Sequence, residues 1–303
     1  THTLDRYDDC VEAAESVLGQ TYDNVELVLV SDGSTEVCER FQGDYGDHQS
    51  VIVHCKEENS GLLDSRNVGA SVASGDVVAF IDDDAVADEE WIEELVVAYE
   101  EQEAHAVGGR MTPAWVASTP SFLPEEFYWL VGVTHRGFGP NGDPDEAGEV
   151  RNTFGSNISF DREMFRELGG FDDNIGGRTG DANLQGGETE LCARLRERTG
   201  NGVFYVPTAK VAHKVFAYRT RLRWLLDRAF WQGYSKRGME VLVPASTDDE
   251  SDYLKLLVTS FLPNRVVGLL TGPSVSKATQ LVMLIVFTAF VGLGYAYGFL
   301  KWG

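Results

Sequence analysis

Three consecutive aspartates are the residues whose type and position most clearly indicate chemistry. Asp82, Asp83 and Asp84 follow directly on residues 77–81, an apolar run that predicts a buried strand. Ligands of open α/β sheets bind at the carboxyl ends of the strands. Adjacent carboxylates repel one another unless a cation offsets them, and hard oxygen ligands suit Mn²⁺ or Mg²⁺ bound with substrate phosphates, so the run predicts a divalent metal site. A solvated acidic turn that caps the next helix is the alternative, and the preceding strand favours the metal.

A second acidic residue follows a predicted strand in the same way. Residues 25–30 are rich in Val and Leu and run into Ser31, Asp32, Gly33 and Ser34, where Gly33 permits a tight turn. We therefore expect Asp32 at the same edge of the sheet as the three aspartates.

These acidic loops belong to a regular alternation of helical and strand patterns. Apolar periodicity predicts three helices and four strands before residue 112, at residues 10–18, 62–73 and 89–101 and at residues 25–30, 51–54, 77–81 and 106–111. Such alternation is typical of an α/β fold with a mixed, mainly parallel sheet and helices on both faces. The first helix needs a strand before it to complete its crossover, and we expect that strand to end before Thr1.

The second half of the chain predicts a loop region followed by further regular elements. Residues 113–149 are rich in aromatics, Gly and Pro and are too long for a passive connection, so they are a candidate region for substrate recognition. Regular patterns then return, with strands at residues 153–160, 203–206 and 210–213 and helices from residue 162, at 188–198 and at 220–237.

Composition excludes nucleic acid as a partner. Asp and Glu number 48 against 25 Lys and Arg, which gives a net charge of -23 at pH 7. A surface of this sign repels phosphate backbones. Few lysines and acidic runs such as Asp88-Glu89-Glu90 are typical of surfaces adapted to high salt, so a halophilic organism is expected.

The four cysteines predict neither a zinc site nor a disulfide framework. Cys10, Cys38, Cys55 and Cys192 are scattered without a C-x-x-C pair or a repeated spacing. A reducing cytosol is therefore the expected environment.

The C-terminal tail differs from the rest of the chain. Residues 281–300 carry no charge and reach the ~20 residues that a helix needs to cross a bilayer, with a buried C-terminal helix as the alternative. Residues 253–270 are interrupted by Lys255, Pro263 and Arg265 and predict a helix at the membrane interface. The predicted division is a catalytic domain at residues 1–240, a linker and interfacial segment at 241–280 with a polar spacer at 244–252, and one transmembrane helix at 281–300.

Seven short motifs follow one another along the chain. They are Gln20-Thr21-Tyr22, Asn59-Ser60-Gly61, Ser65-Arg66-Asn67-Val68-Gly69, Asp82-Asp83-Asp84, Gly155-Ser156-Asn157, Gly169-Gly170-Phe171-Asp172 and Gly187-Glu188-Thr189-Glu190-Leu191. Each motif alone is weak, but their order is specific, and in this order they resemble the motifs of the family-2 glycosyltransferases. The resemblance covers residues 1–237 and implies a GT-A fold and a nucleotide-sugar donor, with a UDP-sugar favoured.

The resemblance also implies roles for individual residues. Donor binding is implied for Thr1, Thr3, Asp32, Arg66, Asp82 and Asp83. Asp82 and Asp84 match the metal-binding Asp-x-Asp motif, and His213, which follows a predicted strand, is a candidate further ligand. A histidine satisfied within the core is the alternative for His213.

Glu188 is the candidate catalytic base. Inverting transfer needs a carboxylate that takes the acceptor's proton as the acceptor attacks the anomeric carbon. The family often has Glu-Asp at this place, with the Asp as base, and Gly187-Glu188 departs from that pattern. A favourable charge at a helix N-terminus is the alternative role for Glu188 and Glu190.

Acceptor binding is predicted for Asn157, Arg219 and Trp231. The last two belong to a basic and aromatic stretch at residues 219–237, which suits anionic lipid headgroups or a lipid-linked phosphate. Ordinary helix packing explains the aromatic residues of this stretch equally well.

The sequence thus predicts a cell-membrane glycosyltransferase that depends on Mn²⁺ or Mg²⁺, faces the cytoplasm and inverts the anomeric centre. It resembles haloarchaeal enzymes of protein N-glycosylation, including hexuronic acid transferases, which implies a hexuronic acid donor and a dolichyl-phosphate-linked sugar as acceptor. Residues 232–236 depart from the Gln-x-x-Arg-Trp motif of processive synthases, so transfer of a single sugar is expected. Two alternatives are a polyprenyl-phosphate hexose synthase and a non-catalytic, membrane-bound subunit that binds nucleotide sugars.

Overall fold

The computed structural model describes residues 1–175, 177–179, 182–243 and 249–302. The elements before residue 116 are α1 (Tyr7–Leu18), β1 (Leu27–Ser31), α2 (Thr35–Tyr45), β2 (Val51–Cys55), α3 (Leu62–Val72), β3 (Val77–Phe80), β4 (Ala85–Ala87), α4 (Trp91–Gln102) and β5 (Ala106–Trp115). Next come β6 (Gly148–Val150), β7 (Ile158–Asp161), α5 (Arg162–Glu167), β8 (Gly177–Thr179), β9 (Ala182–Leu184), α6 (Gly187–Thr199) and β10 (Val203–Val215). The C-terminal helices are α7 (Leu222–Leu242), α8 (Asp249–Leu256), α9 (Leu262–Thr271) and α10 (Val275–Trp302).

The strands form a mixed sheet, a separate parallel pair and a small hairpin. Six strands share one sheet with the order β3-β7-β5-β10-β4, and β6 pairs with the first residues of β10. The pairings of β1 with β2 and of β5 with β10 are parallel, whereas those of β3, β4 and β6 are antiparallel. The predicted α/β class with a mixed sheet is confirmed. The sheet is not mainly parallel as predicted, because antiparallel pairings outnumber parallel ones in the described residues. The strands predicted at 203–206 and 210–213 are one strand, β10, with a register shift between them.

The elements predicted before residue 112 are all present, and two further ones, α2 and β4, were missed. The signal for α2 is visible in the sequence. The Ser34 hydroxyl accepts a hydrogen bond from the N–H of Val37 at 3.3 Å, as a helix N-cap does. Val37, Phe41 and Tyr45 then recur at helical spacing and are buried.

Helices cover both faces of the sheet. On one face α1, α2 and α4 pack with β1, β4 and β10 around Phe41, Trp91 and Met111. On the other, α3, α5 and α6 pack with β3 and β7 around Phe80 and Leu191. The loop that follows β3 is therefore carried by a strand whose buried residues, Val78 and Phe80, are anchored in the second of these cores.

One disulfide corrects the prediction that the cysteines form no such framework. Cys38 in α2 is bonded to Cys55 at the end of β2, with 5.6 Å between their Cα atoms. The two residues belong to no cysteine motif, and they meet because the parallel pairing of β1 with β2 brings the end of β2 beside the helix that follows β1. Cys10 and Cys192 are buried free thiols.

Residues 113–149, predicted as a substrate-binding loop region, in part form a platform for the C-terminal helices. A short 3₁₀-helix at Glu125–Val131 is buried there. The Tyr253 hydroxyl donates to the carbonyl oxygen of Glu126 at 2.7 Å, and Arg265 donates to both carboxylate oxygens of Glu126, whose side chain is fully buried. These contacts join α8 and α9 to the α/β unit.

Two C-terminal segments are long and apolar enough, by length and composition, to cross a membrane. They are Tyr253–Thr271, in which a π-helical turn separates the end of α8 from α9, and Val275–Trp302, which is α10. The sequence predicts a span only in the second segment. The predicted polar spacer at 244–252 lies partly outside the described residues.

Helix α10 runs parallel to α7 and touches it through glycines. A Cβ atom on Gly294 would lie 1.8 Å from the carbonyl oxygen of Phe230, and one on Gly298 would lie 2.7 Å from Cβ of Arg237. Small residues allow packed helices to approach this closely. Helix α10 is therefore packed on the rest of the molecule along much of its length.

We expect Gly294→Ala to destabilise the protein, because the new methyl group has to displace the backbone of α7. The expected loss in free energy of unfolding is about 1–3 kcal/mol. Gly292 is the matched control, since a Cβ atom there would meet nothing within 4 Å, and Gly292→Ala should be neutral or slightly stabilising. Thermal unfolding of the full chain in detergent and high salt compares the two, and equal stabilities would contradict the contact.

Candidate active site

A buried arginine joins two acidic segments that the sequence singles out. Arg66, in the second turn of α3, donates to Asp82 Oδ1 and to Glu188 Oε1, each at 2.8 Å. Burial alone would lower the pKa of this guanidinium, but the two carboxylates outweigh burial and the pKa is raised. The rings of Phe80 and Phe171 lie 6.0 and 5.6 Å from the guanidinium carbon. Arg66 thus ties the loop after β3 to the N-terminal turn of α6.

The loop at residues 155–157 makes room for this salt bridge. A Cβ atom on Gly155 would lie 2.0 Å from Oε1 of Glu188, so a larger residue would displace the bridge. The Ser156 hydroxyl accepts a hydrogen bond from the N–H of Asp82 at 2.9 Å. The loop therefore fixes the backbone of the aspartate run as well.

Asn157, which the sequence predicts as an acceptor-binding residue, lies in the core. Its amide oxygen accepts hydrogen bonds from Trp91 Nε1 and from the N–H of Gly109. Its amide nitrogen donates to the carbonyl oxygens of Arg110 and Ala209. The side chain is fully buried, so in this structure it fastens the loop to β5 and to the bend in β10.

Asp32, a predicted donor-binding residue, holds the loop before α3. Its Oδ1 accepts from Lys56 Nζ at 2.6 Å and from the N–H of Ser60 at 3.0 Å, and its Oδ2 accepts from the N–H of Gly61 at 3.1 Å. Burial would raise the pKa of Asp32, but Lys56 and the backbone donors outweigh it, so the pKa is lowered. Since Gly61 directly precedes α3, these bonds also orient the helix that carries Arg66.

Asp84 is surrounded by cationic side chains and by His213. Its Oδ2 accepts from Arg6 at 2.8 Å and from Arg219 at 3.1 Å, and its Oδ1 lies 3.4 Å from His213 Nε2. Burial would raise the pKa of Asp84, but His213, Arg219 and Arg6 more than offset burial and hold the pKa well below its usual range. The structure therefore brings together two of the predicted metal ligands.

The Asp84–His213 pair fits a divalent ion whose other ligands come from a substrate. Two adjacent ligands, each roughly 2.1 Å from one ion, are separated by about 3–4 Å, which matches the spacing of this pair. Within the described residues, no three His, Cys, Asp or Glu side chains form a group that could hold a metal. Diphosphate oxygens would complete such a site, because Mg²⁺ is commonly held by one or two carboxylates together with substrate phosphates.

The surroundings of His213 define what a metal would replace. Its Nε2 lies 2.9 Å from Nη1 of Arg219, so a metal ion bound to Nε2 would replace this contact with Arg219. Its Nδ1 is buried and has no hydrogen-bond partner among the described residues. Asp82, the remaining predicted ligand, is bound to Arg66 and is not brought to this pair.

The first residues of the chain lie along the end of β1. The Thr1 nitrogen donates to a β1 carbonyl at 3.1 Å and lies 4.0 Å from Asp83 Oδ2, and the Thr1 carbonyl accepts from the N–H of Asp32. The Thr1 hydroxyl is buried without a partner in the described structure. The Thr3 hydroxyl accepts from the N–H of Asp5. Three predicted donor-binding residues, Thr1, Asp32 and Asp83, thus lie together at the carboxyl end of β1.

Close packing explains why a glycine, Gly187, precedes Glu188. A Cβ atom on Gly187 would lie 2.6 Å from a methyl carbon of Leu63, so the departure from the Glu-Asp pattern accompanies close packing of α6 on α3. Glu188 itself is 26% exposed and remains accessible. Glu190 binds Arg194 one turn later and has a structural role.

The other two predicted acceptor residues lie in different surroundings. Arg219 faces Asp84 and His213, as described above. Trp231 lies in α7 with its ring 5.4 Å from that of Phe230 and 5.3 Å from that of Tyr234. It therefore belongs to the aromatic packing of α7.

Two cations of the site were missed in the sequence. Lys56 follows β2 directly, and the rule that identified the acidic loops at strand ends also applies to it. Arg6 lies on a short 3₁₀-helix 78 residues before its partner Asp84, and no local pattern marks it.

Comparison with known proteins supports the predicted class. Residues 3–169 match the model of Glycosyl transferase family 2. A glucosyl-dolichyl phosphate glucuronosyltransferase from Haloferax volcanii is 50% identical over 301 residues, which are 99% of this chain and 94% of that protein.

Solved structures share the fold. The mannosyltransferase PcManGT from Pyrobaculum calidifontis, in complex with GDP-Man and Mn²⁺, matches with a TM-score of 0.58 and 14% identity over 98% of this chain and 85% of that one. GalNAc-T7 with UDP, GalNAc and Mn²⁺ matches with a TM-score of 0.54 and 17% identity over 82% of this chain and 52% of that one. The predicted GT-A fold is confirmed. With the family match over more than half of its length and a half-identical relative, the chain belongs to Glycosyl transferase family 2 and is a glycosyltransferase.

Proposed function

We propose that the chain transfers one hexuronic acid, with inversion, from a UDP-sugar to a dolichyl-phosphate-linked glucose. The observation that carries this proposal is the Arg66 bridge, which holds Glu188 beside the loop that contains Asp84. The sugar and the acceptor follow the name of the Haloferax volcanii relative. A UDP donor is favoured by the sequence resemblance, and one similar structure contains UDP.

Glu188 is the proposed general base. As the acceptor hydroxyl attacks the anomeric carbon, a carboxylate oxygen of Glu188 takes its proton, and the bond from that carbon to the diphosphate breaks on the opposite face. Arg66 holds the other end of the same carboxylate and fixes its direction. A positioned base of this kind typically contributes about 10²–10⁴-fold to the rate.

Asp84 and His213 are the proposed protein ligands of Mn²⁺ or Mg²⁺. When bound, the ion offsets the negative charge that develops on the departing diphosphate. Arg6 and Arg219 already lie at Asp84 and supply further positive charge on the same side. The presence of Mn²⁺ in similar structures supports a divalent ion.

The donor nucleotide is proposed to lie at the edge formed by Thr1, Asp32 and Asp83, with Thr3 close to Thr1 in the sequence. Asp32 is then a positioning residue, because its carboxylate oxygens hold Lys56 and the loop before α3. Arg66 links Asp82, the neighbour of Asp83 in the sequence, to Glu188.

The C-terminal helices are proposed to hold the enzyme on the cytoplasmic face of the cell membrane. Residues 253–303 contain four Lys or Arg and no Asp or Glu, whereas the whole chain has a net charge of -23. Large apolar side chains are exposed on these helices, among them Leu254, Val258, Leu270 and Leu300. An apolar surface with basic residues suits a membrane that contains anionic lipids.

Packing favours a surface-lying arrangement of α10 over the single span predicted at 281–300. Helix α7 belongs to the proposed catalytic unit at residues 1–240, and the Tyr295 hydroxyl of α10 donates to Glu240 of α7, which also pairs with Arg237. If α10 crossed the bilayer along α7, such charges would enter the hydrocarbon at about 2.5–3.5 kcal/mol each.

Alkaline carbonate extraction of membranes that contain the full chain distinguishes the two arrangements. We expect the chain to float with phospholipid vesicles and to be released by carbonate, because a helix that lies on the surface is held less firmly than a span. Retention in the carbonate-washed membrane would instead indicate that α10 crosses the bilayer.

The proposed reaction is tested with UDP-glucuronic acid and dolichyl-phosphate glucose in high salt, with Mn²⁺ or Mg²⁺. We expect transfer by the wild type and a loss in kcat of at least about 100-fold in both Asp84→Asn and Glu188→Gln, since each removes a carboxylate charge at the reaction centre. Glu197→Gln, an exposed position on the same helix as Glu188, is the matched control and should keep full activity.

Two other results would contradict this function. Transfer to bare dolichyl phosphate alone would indicate a polyprenyl-phosphate hexose synthase. Binding of nucleotide sugars without transfer to any acceptor would indicate a non-catalytic subunit.

A further inference from the structure

Arg228 of α7 is a guanidinium without a partner in the described part of the chain. Its Nε is shielded from solvent and has no hydrogen-bond partner, and no hydrogen bond or ion pair joins Arg228 to another described residue. Burying a charged donor without a partner is costly. A side chain in this state is suited to bind an anion that arrives with a ligand.

Helix α7 directs this side chain towards the active site. The Ser235 hydroxyl accepts from the N–H of Gln185 at 2.9 Å, and the side chain of Gln232 donates to that of Gln185. Gln185 lies three residues before Glu188. Residues 228, 232 and 235 follow one another at intervals of four and three, so they share one face of the helix. Arg228 therefore lies on the face of α7 that is fixed beside the start of α6.

The charges around Arg228 locate it between two parts of the site. Burial and, after it, repulsion from Arg219 lower the pKa of Arg228 to about 10, although the carboxylates of Glu188 and Asp227 partly offset both effects. Arg219 contacts Asp84, which is on the diphosphate side, and Glu188 is on the acceptor side. A sugar that lies between the diphosphate and the base would occupy the space next to Arg228.

We propose that Arg228 binds an oxyanion of the sugar substrates, and this rests on the proposed function. The anion is either the C6 carboxylate of a hexuronic acid donor or the phosphate of the lipid-linked acceptor. A guanidinium can bind either group through two parallel hydrogen bonds, which lysine cannot reproduce. A neutral sugar leaves the guanidinium unpaired, so Arg228 selects for a charged substrate.

Arg228→Gln tests the proposal with two donors, UDP-glucuronic acid and UDP-glucose, and two acceptors, dolichyl-phosphate glucose and an uncharged alkyl glucoside. If Arg228 binds the donor carboxylate, kcat/KM should fall about 10–100-fold with UDP-glucuronic acid and much less with UDP-glucose. If Arg228 binds the acceptor phosphate, kcat/KM should fall by a similar factor with dolichyl-phosphate glucose and much less with the uncharged alkyl glucoside. Arg228→Lys should retain part of the selectivity.

Arg166→Gln is the control, because Arg166 is an exposed arginine on α5 with no proposed role at the site, and it should leave the selectivity unchanged. An equal loss with all four substrate pairs, or no loss with any, would overturn the proposal.

Calorimetric binding of UDP-glucuronic acid, UDP-glucose and dolichyl-phosphate glucose separates this proposal from the proposed function, since it needs no turnover. Weaker binding of one charged ligand to Arg228→Gln supports the proposal even if the wild type transfers nothing. Unchanged binding of all three ligands overturns it.

Discussion

The buried salt bridge of Arg66 is the interaction on which the geometry of the site depends. One buried guanidinium holds Asp82 and Glu188, which are far apart in the sequence and whose carboxylates are partly exposed. Removing either carboxylate would leave the buried guanidinium with one partner instead of two and would release one of the two segments that Arg66 holds. Neighbouring loops are built around this bridge. Asp32 holds the loop that starts α3, and Gly33, with φ +73°, lies so close to that loop that a side chain would collide with its backbone.

The region of the candidate site could be predicted from the sequence because its acidic loops follow predicted strands. Asp84 was identified by this rule, and His213, which lies within β10 two residues before its end, faces Asp84 in the structure. The contacts of individual polar side chains could not be predicted. Asn157 looks like a binding residue, yet its hydrogen bonds go to backbone groups and to Trp91, all distant in the sequence. The Cys38–Cys55 disulfide was missed for the same reason, since only the pairing of β1 with β2 brings its two halves together.

Helix α7 connects the apolar C-terminal helices with the candidate site. On one side its backbone is in close contact with α10 at Gly294, and on the other Ser235 and Gln232 hold Gln185 beside the start of α6. The apolar composition of residues 281–300 could be read from the sequence, but their packing on a charged helix could not, because glycine spacing alone does not name a partner. Helix α7 thus contacts both α10 and Gln185, which lies three residues before Glu188.

Proton transfer to Glu188 on one face of the donor sugar, with departure of the diphosphate from the other, requires inversion at the anomeric carbon. The most direct test is ¹H NMR of the first product formed from UDP-glucuronic acid and dolichyl-phosphate glucose by the full chain. The anomeric coupling constant should show the configuration opposite to that of the donor from the earliest time points. A product that keeps the donor's configuration would contradict Glu188 as the base of a single displacement.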